Sequence, residues 1–286
     1  MIIKRGEIKV RKSKLFFISI VALFFVFLVA CNDNSNNAEG EDKKDLIIGT
    51  SPGPYSELFL DAIKPILEDQ GYTIKDQDFT ELLLADVALA EGAVDLNVDQ
   101  HTAYMNNFNE EKDANLTAIT PIPTVPAGIF PGRKTSLEEI EDGDVIGIPQ
   151  DPSNAARAYA VLQKAGLIKL EEGVELVSAS AQDIVENPHN LEITEMDSYQ
   201  IPRALADLDY GVIPGSIVYS SGIDAATSLI SEDILKDLEL VVVVDEKNKD
   251  TKWAKDIKAA YESDEFKAYL EEHNQDGYWF VPEELQ

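Results

Sequence analysis

The segment Ile148-Pro149-Gln150-Asp151-Pro152-Ser153-Asn154-Ala155-Ala156-Arg157-Ala158-Tyr159 holds the residues best spaced to bind a small anion. A short apolar strand ends, a tight turn follows, and a helix opens. The pattern predicts that helix from Ala155 to Lys164, with Ser153 or Asn154 as N-cap and Gly166 as its stop. The N–H groups of Ser153 to Ala155 would point out of the helix N-terminus, where negative charge is favoured by about 0.3–1 kcal/mol. Arg157 lies one turn in and could fork onto a carboxylate. Spacing alone leaves two readings open. One is a carboxylate clamp. The other is an ordinary capped helix with a surface arginine; under the clamp reading, loss of Arg157 would weaken ligand binding and barely change the stability of the unliganded protein. Little else suggests chemistry. His101, His189 and His273 lie far apart, and no pair has the i, i+4 spacing of a helical metal site. No G-x-S-x-G elbow, P-loop or dinucleotide fingerprint is present. The expectation is a binding protein, not an enzyme, with no cofactor and no metal.

The other chemically telling residue is Cys31, the single cysteine. It follows a basic start (Lys4, Arg5, Lys9, Arg11, Lys12, Lys14), an apolar run from Leu15 to Val29, and Ala30. That order reads as a secretion signal over residues 1–30. The run is about 15 residues long, and a spanning helix needs about 20. Leu28-Val29-Ala30-Cys31 resembles a bacterial lipobox, so Cys31 is the expected lipidation site and the expected first residue of a mature chain. Residues 31–45 are expected to form a polar, lipidated, flexible tether. The location implied is the cell membrane, lipid-anchored, on its extracytoplasmic face.

The full sequence of 286 residues carries a formal net charge of −29. The leader takes six of its 24 Lys/Arg and one of its 53 Asp/Glu, leaving 18 basic and 52 acidic side chains, a net −34. Such a surface repels nucleic acid and anionic headgroups, so no nucleic-acid partner is expected.

Strand and helix signals alternate along the rest. Leu46–Gly49, Tyr72–Phe79, Val94–Val98, Val145–Ile148, Tyr210–Ile213 and Leu240–Val244 read as strands. Helices are predicted after Pro54, over Leu82–Glu91, around Thr102–Asn109, and twice near the end, around Trp253–Ser263 and Ser263–His273. Leu116–Phe130 is proline-rich and reads as an extended crossing between two sets of units. The fold class expected is α/β with two lobes, each a mostly parallel sheet with helices on both faces. Lobe 1 would be 46–122 plus 240–286, and lobe 2 would be 123–239. Ligands in such folds sit at the carboxyl ends of strands, between lobes.

The helix-opening segment, with Ala165-Gly166-Leu167-Ile168-Lys169-Leu170 after it, closely resembles the NlpA-type methionine-binding lipoproteins of bacterial ABC importers. Two further stretches match in the same order, Gly92–Tyr104 and Glu186-Asn187-Pro188-His189-Asn190-Leu191. The resemblance covers about residues 28–275. It implies a two-lobed periplasmic-binding-protein-like fold, an ABC permease partner, and methionine, a related amino acid or a short peptide as ligand. By resemblance Arg157 would hold the ligand carboxylate, with Asn154 in the same loop. Gln100, His101 and Tyr104 would line the cleft, although His101 could be a core or capping residue and Tyr104 core packing. The chain departs from the family at Leu82, Asp99, Val125, Pro214-Gly215-Ser216 and near Leu240, positions that implied an aromatic cage and ligand asparagines. Asp99, Asp86 and Glu81 could face a cationic group or be solvated, and solvation is the expectation for Asp86 and Glu81. A surface lipoprotein acting as adhesin or scaffold is the alternative that these departures raise.

Overall fold

A computed structural model describes residues 43–274 and 277–286 of the chain. The expected signal, the lipobox and Cys31 lie outside these residues. Twelve strands are present among the described residues: β1 (Asp45–Thr50), β2 (Thr73–Asp78), β3 (Leu96–His101), β4 (Leu116–Pro121), β5 (Gly128–Pro131), β6 (Val145–Pro149), β7 (Lys169–Leu170), β8 (Ile184–Glu186), β9 (Glu192–Met196), β10 (Tyr210–Ile213), β11 (Ile230–Ser231) and β12 (Leu240–Asp245). They form two five-stranded sheets, β2-β1-β3-β12-β4 and β11-β5-β10-β6-β9, and a small β7-β8 pair.

The first sheet draws on both ends of the described chain, and the second on its middle. The β2-β1-β3 part is parallel, with β-strands joined by helices, as the alternating pattern requires. β12 returns from the second sheet and inserts between β3 and β4, antiparallel to both. Its sequence Leu-Val-Val-Val-Val-Asp is buried on both faces, as a continuous apolar run implies. Leu240, Val242 and Val244 enter one core cluster, with Phe59, Trp253, Tyr261 and Phe266. Val241 and Val243 enter the opposite one, with Leu89, Met105 and Phe108. The period of two thus places helices on both faces of one strand. In the second sheet Ile146, Ile148, Tyr210 and Val212 pack under the helix Pro152–Lys164. Phe130 and Ile213 pack on the other face, against Ile201 and Ile217.

Two crossings join the sheets, residues 122–127 and 232–239. They are tied to each other. Ile122 N donates to Leu240 O at 2.8 Å, and Leu240 N donates to Thr124 Oγ1 at 2.8 Å. Thr124 also pairs with Phe280 in an antiparallel bridge. Gly215 faces the first crossing so closely that a Cβ there would stand 2.5 Å from Val125 O, so only glycine allows the approach.

Two local expectations are corrected. Lys43, Lys44 and Asp45, expected in the tether, are held by the fold. Asp45 opens β1, Lys43 pairs with Asp95 at 2.5 Å, and Lys44 Nζ stands 3.6 Å over the Tyr72 ring. The helix predicted from Ala155 opens at Pro152, and its N-cap is Asp151, not Ser153 or Asn154. Pro152 at the first helical position sets φ in advance, so the helix opens there and the cap falls on Asp151, two residues before Ser153 and three before Asn154.

A candidate solute cleft

A cleft of about 200 Å³ opens where the two sheets face each other. Its walls come from the carboxyl ends of β1, β3, β6, β9 and β10, and from the start of antiparallel β12 at Leu240. Arg157, Asn154, His101, Gln100 and Tyr104 all line it, so the five residues singled out by sequence converge on one cavity. Leu82, Asp99, Pro214 and Ser216, where the chain departs from the family pattern, line it too.

A chain of hydrogen bonds spans the cleft, with directions that agree throughout. Tyr104 N donates to His101 Nδ1 at 3.1 Å, so His101 caps the helix Thr102–Lys112. That leaves the proton on Nε2, which faces Asn154 Oδ1 at 3.4 Å. Asn154 Nδ2 in turn donates to Asp151 Oδ1 at 3.1 Å. Capping and lining the cleft are therefore one role for His101, not competing ones. Burial, helped by the positive charge of Arg157, pushes its pKa down to about 3 and holds the ring neutral.

Arg157 is not a surface arginine. It is 3% exposed, and its fork grips a carboxylate of the chain itself. Nε donates to Glu232 Oε2 at 2.6 Å, and Nη2 donates to Glu232 Oε1. Glu232 Oε1 also accepts from Ala127 N at 2.7 Å, which ties the pair to the first crossing. Burial disfavours the guanidinium charge, but Glu232 more than offsets this and raises the pKa. The expectation that losing Arg157 would leave the unliganded protein unchanged is corrected accordingly. Nη1 makes no hydrogen bond among the described residues. The helix N-terminus is likewise engaged: Asp151 Oδ1 accepts from Asn154 N at 3.0 Å, and Asp151 O accepts from Ala155 N at 2.8 Å.

The acidic residues divide. Glu81 is exposed at the cleft rim, as expected. Asp86 is fully buried, against the expectation of solvation. It sits on the inner face of the helix Leu82–Ala90, and Gln100 Nε2 donates to its Oδ1. Burial raises its pKa well above the usual carboxylate range. Asp99 caps the turn after β1. Its Oδ2 accepts from Ser51 N, Ser51 Oγ and Ser56 Oγ at 2.7–3.0 Å, and its Oδ1 from Ser56 N at 3.1 Å. Burial pushes its pKa up to about 6, with the Ser56 and Ser51 hydrogen bonds opposing. Sequence reasoning missed Glu232, Tyr55 and Tyr199. Tyr55 and Tyr199 line the cleft, and Val125 N donates to Tyr55 Oη at 3.2 Å. Glu232 lies in an ordinary-looking Ser-Glu-Asp run, and nothing local marks it as buried.

Known proteins resemble this chain over most of its length. The D-methionine-binding lipoprotein MetQ of Salmonella typhi is 33% identical over 79% of this chain and 85% of its own. Outer membrane lipoprotein 3 of Mannheimia haemolytica is 32% identical over 86% and 90%. Among solved structures, the substrate-binding protein of a methionine transporter from Streptococcus pneumoniae superposes with a TM-score of 0.74 at 30% identity, covering 84% of this chain and 96% of that one. A nutrient-binding protein from Burkholderia cenocepacia, bound to methionine, gives 0.75 at 28%, covering 82% and 99%. These neighbours share the two-lobed α/β architecture. The family profile of the NlpA lipoproteins matches residues 46–281, and the chain belongs to that family.

Proposed function

We propose that this chain is the solute-binding component of an ABC importer, taking an amino acid or short peptide into the cleft between its lobes and performing no catalysis. Residues 46–122 with 240–286 would act as one lobe and 123–239 as the other. The crossings near Thr120–Pro126 and Glu239–Val241 would serve as hinges. The observation that carries the reading is the convergence of Gln100, His101 and Tyr104 from one sheet with Asn154 and Arg157 from the other around a single cavity. Family membership and relatives named for methionine binding support it.

Arg157 remains the residue to hold a ligand carboxylate, through Nη1, because Glu232 occupies the Nε–Nη2 edge. The expected permease contact and lipid anchor follow from the same family reading, with Cys31 as the acylated residue. Mass spectrometry of protein extracted from membranes tests the anchor, and an unmodified Cys31 removes it. The main test is native mass spectrometry of protein purified without added solute, followed by calorimetry and small-angle scattering across amino acids and dipeptides, both methionine enantiomers included. Binding with compaction is expected. A panel in which nothing binds and nothing compacts refutes the proposal and returns the scaffold reading.

A further inference from the structure

Resting on that reading of two lobes about a hinge, we infer that the helices Pro54–Leu58 and Gly215–Ser220 form a latch between the lobes, fastened by Glu57 and Tyr219, that holds the cleft closed over whatever solute enters it.

Two observations carry this. The first is a bond that parting the lobes must break. Glu57 belongs to the first lobe and Tyr219 to the second, and the Tyr219 hydroxyl donates to Glu57 Oε2. Each helix is fixed to its own lobe. Ser56, beside Glu57, donates through N and Oγ to Asp99 on β3. Ile217 and Val218 pack with Phe130 and Ile213 of the second sheet. The helices wall the cleft through Gly53 and Tyr55 on one side and Ser216 and Ile217 on the other. Glu57 and Tyr219 do not line it; both are exposed, outside the cavity. Their bond is therefore made between the lobes and not to the solute. Its acceptor is a carboxylate, which makes it stronger than a neutral pair.

The second is a close approach one helical turn away. A Cβ at Gly53 would stand 3.4 Å from Ser216 Cβ, so the lobes touch there. Gly53 lies four residues before Glu57, and Ser216 three before Tyr219. The touching backbones and the bonded side chains thus form one seam. A solute held by both lobes is bound only as tightly as the closed arrangement is populated. A contact that exists only when the lobes are closed therefore strengthens the binding of every solute by the same factor. Glu57 and Tyr219 are positioning residues, and they set affinity without setting preference.

The test uses the full purified protein, shown by native mass spectrometry to be free of solute, with L-methionine and D-methionine as probes. Tyr219→Phe and Glu57→Ala change exposed positions, so an unaltered melting transition is expected. Each should release both enantiomers about three- to tenfold faster, by the same factor for both, and should enlarge the radius of gyration of the solute-free protein. The double variant should do no more than either single, because both remove one bond. A cross-link checks the seam directly. Gly53 has extended backbone, with φ 166°, which cysteine also adopts, and the 3.4 Å approach is close to the Cβ separation of a disulfide, about 3.5–4.5 Å. Oxidised Gly53→Cys/Ser216→Cys should exchange solute at least about tenfold more slowly, and reductant should restore the rate. Parent-like release and scattering in Tyr219→Phe overturn the inference. So does a double variant that sums the singles, or a cysteine pair that fails to cross-link or exchanges solute equally fast when oxidised. If neither enantiomer binds the parent protein, the reading of the cleft loses methionine, and the scattering and cross-linking arms still decide the latch.

Discussion

Replacing Arg157 with methionine tests whether the pair with Glu232 holds the two crossings and the second sheet together. Both side chains are 4% exposed, so the bond they form is buried and bidentate. Removing the guanidinium strands the Glu232 carboxylate in the interior with the Ala127 N–H as its remaining hydrogen-bond donor. Breaking a buried pair by deleting one partner typically costs about 3–5 kcal/mol, because the surviving charge is left uncompensated. For a domain of this size each kcal/mol shifts Tm by about 2–4 °C, so Arg157→Met should melt roughly 6–20 °C lower. Glu232→Gln should lose a comparable amount. Replacing the pair by two apolar residues of similar volume removes both charges at once and should cost far less than either single change. The assay is urea unfolding of solute-free protein at pH 7.5, followed by tryptophan fluorescence, for the two singles and the double. A loss below about 1 kcal/mol for Arg157→Met, with a double mutant that simply sums the singles, would refute the claim that this pair is a buried structural tie.

His101, with its pKa pushed down to about 3, should show no ring titration between pH 5 and 8 in nitrogen-detected NMR. In the unfolded chain the ring takes up a proton near pH 6.5, so its contribution to stability is present at neutral pH and is lost as pH falls from there toward 3; an imidazolium signal at pH 6 would contradict the buried, neutral ring. Asp86 has the opposite sign. Its raised pKa means the folded state keeps a proton that the unfolded state releases, so its contribution is full below about pH 3.8 and is lost as pH rises through the raised value. Asp86→Asn should therefore gain on the parent protein between pH 4 and pH 8 in denaturant titrations, and a pH-independent difference would count against a buried, protonated Asp86.

Much of this was readable in the sequence, because local patterns carry it. The six strands that the alternation picked out all exist, and Tyr210–Ile213 has its predicted ends. The helix after Asp151-Pro152 and the cleft segment from Gln100 to Tyr104 were found by spacing and resemblance. What failed was long-range. The partner of Arg157 lies 75 residues away, and no local signal says that two charges separated so far will be buried together. Asp86 looked solvated because acidic runs usually mark an exposed face, whereas in the fold Leu83 and Leu84 are the exposed residues and Asp86 turns inward, a choice of face that a run of three leucines hides. The antiparallel sense of β12 is also invisible locally, since an apolar run is buried alike in either direction.

The insertion of β12 between β3 and β4 sets an order of events. Until residue 245 has been made, the first sheet is interrupted: β3 and β4 each present an open edge toward a gap, and the second sheet's residues lie in between along the chain. The middle of the protein can therefore complete its sheet while the first-made part waits. Closing that gap joins segments more than a hundred residues apart, so the contact is slow to find and the exposed edges are open to wrong pairing in the meantime. A nascent chain of this protein is exposed to misassembly longest in the very sheet it began first.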